Sequence, residues 1–436
     1  MIQEFCLLIL KFTGVYFFII NFFYGILMML SWAKIKKYRR ESKQQKSSGK
    51  IPEVSFIIPA FNEESLIVET IQTYLSLPQS NKEIIVINDG SHDKTFKLLQ
   101  TMFQLRRLEE TSGTFHSITY PDLIVLEATH SGKAQALNIG IHHAKYDLIC
   151  TMDADTIPTA RGVEGCLRAF AQDPKLVAAG GVIQTLQAKG WLTTFQSLEY
   201  LRTFLCERLG WSIMGSTTLI SGAFCMVKKE AWKKIGGFRP NSITEDLDLI
   251  VRLRKAYPGQ EYRFKILPIT TCHTQVPKDI KHLMVQRMRW QLGLIDTLAR
   301  NIDLCFHPAH GILGLIAIPY SWLVEVFSPL LEFTALLIIP YALYEGWLDP
   351  KMVMFYLLAG LIFNVIITMI GVYLDNRYVS RNKSWSCVKS AFNTIILHFG
   401  YKQLNSWWRL LALLKSFSKK HEWGEKPRQE ITQQIP

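Results

Sequence analysis

Long apolar segments lie near both ends of the chain, and a segment of mixed character separates them. From residue 12 to residue 32 nearly every side chain is apolar or aromatic, with Asn21 as the chief exception. At a rise of about 1.5 Å per residue, a helix of this length crosses a hydrocarbon core about 30 Å thick. The run continues into a basic segment and lacks a small-residue cleavage site. We therefore predict a retained transmembrane helix rather than a signal peptide.

A second apolar region begins after residue 305. Two runs, at residues 330–343 and 352–373, predict a hairpin that crosses the membrane twice. Residues 311–323 and 401–414 are predicted to lie in the membrane interface, and a second hairpin is the alternative.

Between these regions, short β-rich runs alternate with amphipathic segments. This pattern predicts an α/β domain in which helices cover a parallel sheet. Strands are predicted at residues 54–59, 83–88, 123–126 and 146–152. Because ligands bind beyond the carboxyl ends of such strands, the loops that follow them are expected to carry the functional side chains.

Basic residues flank the apolar segments. The formal net charge is +13, and many cations lie beside predicted spans. Lys and Arg in such places favour the cytoplasmic side and attract anionic headgroups, so we expect membrane lipids and no nucleic acid as partners. The N-terminus then faces outward. The predicted parts are residues 1–33 (transmembrane helix), 34–50 (basic cytoplasmic linker), 51–305 (catalytic domain), 306–415 (transmembrane and interfacial helices) and 416–436 (cytoplasmic tail).

Two carboxylates directly follow the predicted strand at residues 146–152. Asp153 and Asp155 are two residues apart, so in an extended chain their side chains point the same way. Mg²⁺ or Mn²⁺, held together with a diphosphate, would offset the repulsion between them. Taken alone, the same pattern also fits a surface loop.

Three further loops carry candidate residues. Asp89 in Asn-Asp-Gly could accept hydrogen bonds from a base or ribose, although this tripeptide alone is more often a turn. Phe61 and Glu63 follow the first strand and place an aromatic ring and a carboxylate on the same rim. Lys133 opens a predicted helix, where a cation and free N–H groups could meet phosphate oxygens.

Two later segments could act on an acceptor. Asp246 begins a predicted helix and could deprotonate a hydroxyl, or it could only complement the helix dipole behind an N-cap at Thr244. Gln286, Arg289 and Trp290 share one face of a helix predicted at about residues 283–301. Such a face could position a sugar while the guanidinium neutralises a leaving diphosphate.

Other chemistries lack their sequence signals. The chain has neither a GxxxxGK[ST] segment nor a GxGxxG after its first strand, which weighs against ATPases and dinucleotide enzymes. Its eight cysteines include no CxxC pair, so they indicate reduced thiols rather than a zinc site or disulfides.

The segments PAFNE, NDG, GKAQALN, DAD, SGAF, TED and QRMRW occur in this order. This series resembles the signposts of family 2 glycosyltransferases, in particular the membrane synthases of cellulose, hyaluronan, chitin-like oligomers and poly-N-acetylglucosamine. The resemblance covers about residues 51–300. It implies a GT-A fold, which is Rossmann-like, and an inverting transfer in which an acceptor hydroxyl attacks the anomeric carbon of a UDP-sugar.

The resemblance also implies roles by position. Glu63 and Asp89 correspond to nucleoside-binding residues, Lys133 to a diphosphate contact, Asp153 and Asp155 to the metal-binding DxD, and Asp246 to the general base. Gln286, Arg289 and Trp290 correspond to the QxxRW signature, which holds the acceptor end and the diphosphate. Residues 221–224 are expected to line the acceptor pocket. Phe61 stands where many relatives have Tyr, which keeps stacking but removes a hydroxyl.

The compact length and the TED form look more like poly-N-acetylglucosamine synthases than cellulose synthases. The leading hypothesis is a processive synthase that adds N-acetylglucosamine or another hexose or hexosamine to a polysaccharide. It would lie in the cell membrane with its catalytic domain in the cytoplasm. Export partner proteins are possible. Two alternatives are a nonprocessive enzyme acting on a lipid-linked acceptor and a catalytically silent sensor. Glu325 and Glu332, seven residues apart, would line the export route or, as we favour, lie at the membrane interface.

Overall fold

The computed structural model describes residues 1–44, 51–79, 81–108, 113–186, 190–259, 262–380 and 386–418. The end of the predicted basic linker, at residues 45–50, lies outside the described residues, as does the predicted tail from residue 419 onward.

A mixed sheet of ten strands forms the centre of the described α/β domain. Its order is β3-β4-β5-β2-β1-β6-β9-β8-β10-β7. The four predicted strands are confirmed as β1, β2, β5 and β6, with ends that differ by up to two residues. The strands are β1 (Val54–Ala60), β2 (Lys82–Asp89), β3 (Leu105–Arg107), β4 (Thr114–Ser117), β5 (Leu123–Ala128), β6 (Leu148–Thr151), β7 (Thr156–Pro158), β8 (Leu176–Thr185), β9 (Cys225–Lys228) and β10 (Arg263–Thr274).

The helices cover both faces of this sheet and extend beyond it. They are α1 (Ile2–Gln44), α2 (Ile67–Leu75), α3 (Thr95–Met102), α4 (Lys133–His143), α5 (Ala160–Gln172), α6 (Trp191–Arg202), α7 (Leu209–Ile213), α8 (Lys229–Lys234), α9 (Glu245–Ala256), α10 (Ile280–Arg300), α11 (Ile318–Tyr320), α12 (Ser328–Tyr344), α13 (Pro350–Leu374), α14 (Cys387–Leu397) and α15 (Tyr401–Ser418). Wider π-helical turns occur at Thr203–Arg208, Leu313–Ala317, Ser321–Val326 and Asp375–Val379, and 3₁₀ turns at Ile302–Leu304 and Pro308–His310.

The sheet brings the predicted loops to one edge. β5, β2, β1 and β6 are neighbours and run parallel, so their carboxyl ends meet at the same edge. Strand order reverses at β1, because β2 lies on one side of it and β6 on the other. This is the kind of switch point at which open α/β sheets bind ligands.

Close packing fixes α4 against the centre of the sheet. Gly140 allows this approach, because a Cβ there would lie 2.5 Å from Ile87 Cδ1 and 2.6 Å from Ile57 Cγ2. These strands are buried on both faces, which explains why they read as continuous apolar runs. The first residue of α4, Lys133, is thereby held at the edge where the strands end.

Three helical stretches in the described residues are long and apolar enough to cross a membrane: Ile2–Glu41, Leu313–Tyr344 and Pro350–Val379. The predicted hairpin corresponds to α12 and α13. Residues 311–323 were predicted to lie in the interface, but from Leu313 onward they form the first part of the second stretch. α1 continues through the first part of the predicted linker, because Lys, Arg, Glu and Gln are good helix formers.

The first helix also packs against the α/β domain. Its early aromatic side chains, such as Phe12 and Phe18, are exposed, whereas Leu27 and Ile35 further along are buried. Ser31 Oγ donates a hydrogen bond to the Cys206 carbonyl oxygen at 3.1 Å. The helix therefore presents an apolar surface along its first part and packs on the domain along its later part.

Candidate active site

A cavity of about 730 Å³ lies at the carboxyl ends of the central strands. α10 and α15 close its opposite side. Every residue predicted for the site lines this cavity: Glu63, Asp89, Lys133, Asp153, Asp155, Asp246, Gln286, Arg289 and Trp290. Of the predicted acceptor loop, Ser221, Gly222 and Ala223 line it as well, whereas Phe224 is buried in the core and does not. The structure thus brings together loops that are up to about two hundred residues apart in the chain.

Asp153 and Asp155 follow β6 and face the cavity. Burial raises the pKa of Asp155 to about 6, and the charge of Asp153 adds to the rise while Lys133 opposes it. Thr156 Oγ1 donates to Asp155 Oδ1 at 3.2 Å. In the part of the chain that the structure describes, no group of three or more His, Cys, Asp or Glu side chains is placed to hold a metal ion. The carboxylates of Asp153 and Asp155 therefore face the cavity together.

Lys133 connects two acidic segments across the cavity. Its Nζ lies 2.5 Å from Asp153 Oδ1 and 2.5 Å from Glu245 Oε1. Burial alone would lower the pKa of Lys133, but Asp153, Glu245 and Asp246 together raise it above its ordinary value. The ammonium group is therefore firmly charged and lies between the DxD loop and the start of α9.

Glu245 is a site residue that the sequence reasoning missed. Its side chain is buried, and Lys133 and Arg289 hold its pKa at about 2 although burial alone would raise it. The signal was present, because Glu245 directly precedes Asp246 in the TED segment. From the sequence, Glu245 was interpreted as part of an ordinary acidic first turn of a helix.

Asp246 lies in the first turn of α9 with its carboxylate in the cavity. Oδ2 accepts from the Gly222 N–H at 2.8 Å, and Oδ1 from the Leu247 N–H at 2.9 Å. Burial raises the pKa of Asp246 and the charge of Glu245 raises it further, while Lys133 and the two N–H groups oppose the rise. A Cβ at Gly222 would lie 3.2 Å from Lys133 Nζ and 3.4 Å from Asp246 Oδ2, so this glycine lies directly beside both groups.

The expected N-cap hydrogen bond at Thr244 does not form. Thr244 occupies the N-cap position of α9, but its buried Oγ1 has no hydrogen-bond partner among the described residues. The side chain packs instead against α10, where a Cβ at Gly293 would lie 2.3 Å from Thr244 Oγ1. Packing between two helices that line the site thus outweighs local capping.

Asp89 organises the loop that precedes α4. Its side chain is 2 % exposed; Oδ1 accepts from the Ser131 N–H at 2.7 Å and Oδ2 from the Gly132 N–H at 2.9 Å. The ring of His130 in this loop stacks on Phe61, with centroids 4.1 Å apart. The carboxylate therefore fixes the loop in front of Lys133, and the two stacked rings form one side of the rim.

The QxxRW residues project from α10. The Arg289 guanidinium reaches the Ile243 carbonyl oxygen at 3.5 Å, next to the TED segment. Gln286 Oε1 is buried and has no hydrogen-bond partner within the described part of the chain. The guanidinium of Arg287 lies 4.8 Å from the centroid of the Trp290 ring. This side of the cavity thus combines an aromatic ring, a cation and an amide oxygen available for a ligand.

Charged residues from irregular helices complete the cavity on its far side. Glu207 and Arg208 lie in the π-helical turn Thr203–Arg208, and burial raises the pKa of Glu207 to about 7, with the charge of Glu325 adding to the rise. Glu325 and Glu332 both line the cavity. Their place along an export route or at the membrane interface stays a prediction. α15 contributes Lys402, Asn405, Ser406 and Arg409.

Two family models match the chain. "Glycosyl transferase family 2" matches residues 55–236, and "Glycosyl transferase family group 2" matches residues 148–373. The fold is similar to that of a mannosyltransferase from Pyrobaculum calidifontis solved in complex with GDP-Man and Mn²⁺, with a TM-score of 0.57 and 20% identity over 92% of this chain and 100% of that one.

Curated relatives are poly-beta-1,6-N-acetyl-D-glucosamine synthases. One from Staphylococcus epidermidis RP62A is 30% identical over 288 residues, which is 64% of this chain and 66% of the relative. One from Staphylococcus aureus COL is 30% identical over 295 residues, 65% of this chain and 67% of the relative. The matched part thus spans about two thirds of the length of these relatives. The chain belongs to glycosyltransferase family 2, and the protein is a glycosyltransferase.

Proposed function

We propose that the protein transfers N-acetylglucosamine from a UDP-sugar to a growing polysaccharide at the cytoplasmic membrane, with inversion at the anomeric carbon. One observation carries this proposal: Lys133 joins Asp153 to the TED segment, so the acids of two separate loops face one cavity. The names of the curated relatives support the choice of sugar.

Asp153 and Asp155 would hold Mg²⁺ or Mn²⁺. The donor set fits such a cation, because two carboxylates face one space and mutual repulsion contributes to the raised pKa of Asp155. Mg²⁺ is commonly bound by one or two carboxylates together with substrate phosphates. When bound, the cation would neutralise the donor diphosphate. The mannosyltransferase of similar fold was solved with Mn²⁺.

The remaining residues of the strand edge would bind the nucleotide. Lys133 would exchange one of its carboxylate contacts for a diphosphate oxygen, which an ammonium group at a helix start is suited to hold. Glu63 and the Asp89 loop border the space for ribose and base, with Phe61 as a stacking surface. Because both Asp89 oxygens already accept N–H groups, its main contribution would be to keep the loop in place.

Asp246 would act as the general base. As the acceptor hydroxyl oxygen bonds to the anomeric carbon, its proton passes to Asp246 and the bond from that carbon to the diphosphate oxygen breaks, releasing UDP. A carboxylate whose pKa is raised by burial is a stronger base than an exposed one. Glu245 stays ionised beside Lys133, and Gln286, Arg289 and Trp290 would hold the acceptor end.

The catalytic domain, at residues 51–305, would lie on the cytoplasmic side. The N-terminal helix and the α12–α13 hairpin would cross the membrane, with α14 and α15 at its surface. Labelling of an Asp349→Cys variant by an impermeant maleimide in intact cells tests this topology, because Asp349 precedes α13 at the hairpin tip. Cys6, which would lie on the outward side near the N-terminus, and the exposed Cys387 are first replaced by Ser. Absence of labelling would contradict an outward tip.

Product analysis tests the activity. Membranes that contain the protein are supplied with labelled UDP-sugars one at a time, with Mg²⁺ or Mn²⁺. We expect high-mass polymer from UDP-N-acetylglucosamine, with none from membranes that contain Asp246→Asn. Label only in solvent-extractable glycolipid would favour a nonprocessive enzyme with a lipid-linked acceptor. UDP binding without transfer of any sugar would favour a sensor. Polymer that accumulates on the cytoplasmic side would indicate that export needs partner proteins.

A further inference from the structure

One glutamate joins three segments on the acceptor side of the cavity. Glu199 of α6 accepts at the same oxygen, Oε2, from Arg287 Nη2 at 2.6 Å and from the Tyr401 hydroxyl at 2.7 Å. Arg287 belongs to α10 and Tyr401 begins α15. The network therefore links a helix of the catalytic domain, the helix that carries the QxxRW residues, and the amphipathic helix near the membrane.

Arg287 also contacts the ring of Trp290. The guanidinium lies 4.8 Å from the centre of the indole ring, while one of its terminal N–H groups is directed to Glu199. The Arg287 side chain is 14% exposed and that of Glu199 28%, so water screens their interaction only partly. A planar guanidinium can stack on a ring and hydrogen-bond a carboxylate at its edge at the same time, which an ammonium group cannot.

A small apolar cluster keeps the network rigid. Tyr401 is 5% exposed, and its ring meets the Phe195 ring edge to face at 5.4 Å. The cluster consists of the buried side chains Leu192, Phe195, Leu283, Leu397, Tyr401 and Trp408, which come from α6, α10, α14 and α15. A displacement of α15 would therefore move the Tyr401 hydroxyl and, through Glu199, the guanidinium on which Trp290 rests.

We propose that Arg287 is a positioning residue: held by Glu199 and Tyr401, it fixes the Trp290 indole and thereby couples the membrane-side helix α15 to the grip on the acceptor sugar. Its role in acceptor binding rests on the function proposed above. A loosened indole should release the acceptor earlier, so that each chain receives fewer sugars, while donor binding at the strand edge stays as it was.

The test compares full-length Arg287→Lys and Tyr401→Phe with Arg168→Lys. Arg287→Lys keeps the charge but loses the planar stack, and Tyr401→Phe removes one oxygen atom. The control pair, Arg168 and Glu164, has the same 2.6 Å separation and does not line the cavity. Each protein is labelled with 5-fluorotryptophan, and the Trp290 fluorine resonance is assigned by its loss in Trp290→Phe.

In Arg287→Lys we expect a shifted Trp290 resonance and polymers several-fold shorter than wild type, with the KM for UDP-N-acetylglucosamine nearly unchanged. Tyr401→Phe should change both properties less and in the same direction, and it serves as the test if Arg287→Lys fails to fold. Arg168→Lys should change neither. An unmoved resonance, or a moved one with wild-type polymer length, would overturn the inference. If wild type makes no polymer, the proposed function fails, and the resonance alone decides whether Arg287 positions Trp290.

Discussion

The two walls of the cavity are built in different ways. The strand-side wall carries Lys133, Asp153, Asp155 and Asp246, each in a loop or at the start of a helix. The membrane-side wall consists of faces of α6, α10, α12 and α15. Their polar side chains form hydrogen bonds with residues that are far away in the sequence. Arg409 Nε donates to Gln291 Oε1, 118 residues away, and Tyr401 to Glu199, 202 residues away. The first wall is specified locally, whereas the second depends on how whole helices pack.

This difference suggests a division of labour. The strand-side wall concentrates carboxylates and a lysine with perturbed pKa values, as expected where bonds form and break. The membrane-side wall also holds the carboxyl groups of Glu207, Glu325 and Glu332, but most of what it offers is rings, amides and arginines, which would suit a long, uncharged acceptor. Changes on the first wall should therefore affect the chemical step or the donor, and changes on the second should affect stability or product length.

The largest expected effect is that of Asp246→Asn, which keeps the shape of the side chain but removes the proposed base. The transfer rate should fall by roughly 10³-fold, within the range attributed to general acid–base catalysis. UDP affinity, measured by titration calorimetry, should change little.

Asp248→Asn is the matched control on the same helix. Asp248 is 2 % exposed, pairs with Arg239 and Arg252, and does not line the cavity. Its replacement should lower the unfolding temperature and leave the turnover of the folded enzyme near wild type. If both variants lost turnover alike, Asp246 would have no special chemical role.

Lys133→Gln should have the next largest effect. The substitution removes the cation between Asp153 and Glu245, so the buried carboxylate of Glu245 and the partly exposed one of Asp153 lose their partner, and the diphosphate loses a charged contact. We expect the donor KM to rise roughly 10- to 100-fold, the scale of a lost hydrogen bond to a charged group. The control is Lys265→Gln, because Lys265 Nζ also lies 2.5 Å from a carboxylate, that of Asp173, but away from the cavity. A donor KM raised equally by both substitutions would contradict a diphosphate role.

The sequence predicted the strand-side wall well for a physical reason. In a parallel sheet, a polar residue that directly follows an apolar strand lies at the carboxyl edge of the sheet. Short segments were therefore enough to place Asp89 and Asp153. The TED segment was assigned in part, since Asp246 was recognised but Glu245 was taken for helix-dipole chemistry. The helical hairpin followed from hydropathy alone.

The membrane-side wall could not be predicted in the same way. Glu207 faces the cavity because a π-helical turn widens the helix at Thr203–Arg208, and a search for a regular helical period does not detect such a turn. The QxxRW signature leaves the position of Arg287 unspecified, and only helix packing brings Glu199 and Tyr401 beside it. Thr244 is another position that local sequence did not predict. A threonine before a helix favours an N-cap hydrogen bond, but this side chain packs against Gly293 instead.

Glu207→Gln tests whether ionisation of a buried carboxyl group in the membrane-side wall destabilises the folded protein. The carboxyl keeps its proton up to a pKa of about 7 in the folded protein, against an ordinary value of 4.5. Between these values the folded state binds more protons than the unfolded one, so stability falls as pH rises. Below about pH 4.5 the free energy of unfolding of Glu207→Gln should equal that of wild type. Between there and about pH 7 it should become increasingly larger than that of wild type, by at most about 3 kcal/mol. Denaturant unfolding from pH 5 to 8 measures this gap, and a gap that narrows with rising pH would contradict the assignment.

The smallest effect is expected at the rim, where Phe61 stacks on His130. Phe61→Tyr keeps the ring and adds only a hydroxyl, so the donor KM should change by less than about twofold. Phe61→Leu removes the ring and should raise the donor KM roughly tenfold, because stacking of one base on an aromatic side chain contributes about 1–3 kcal/mol. The two substitutions separate the contribution of the ring from that of an added hydroxyl. If Phe61→Leu bound the donor as wild type does, the base would lie elsewhere, and the strand-side wall would hold the diphosphate without reading the nucleoside.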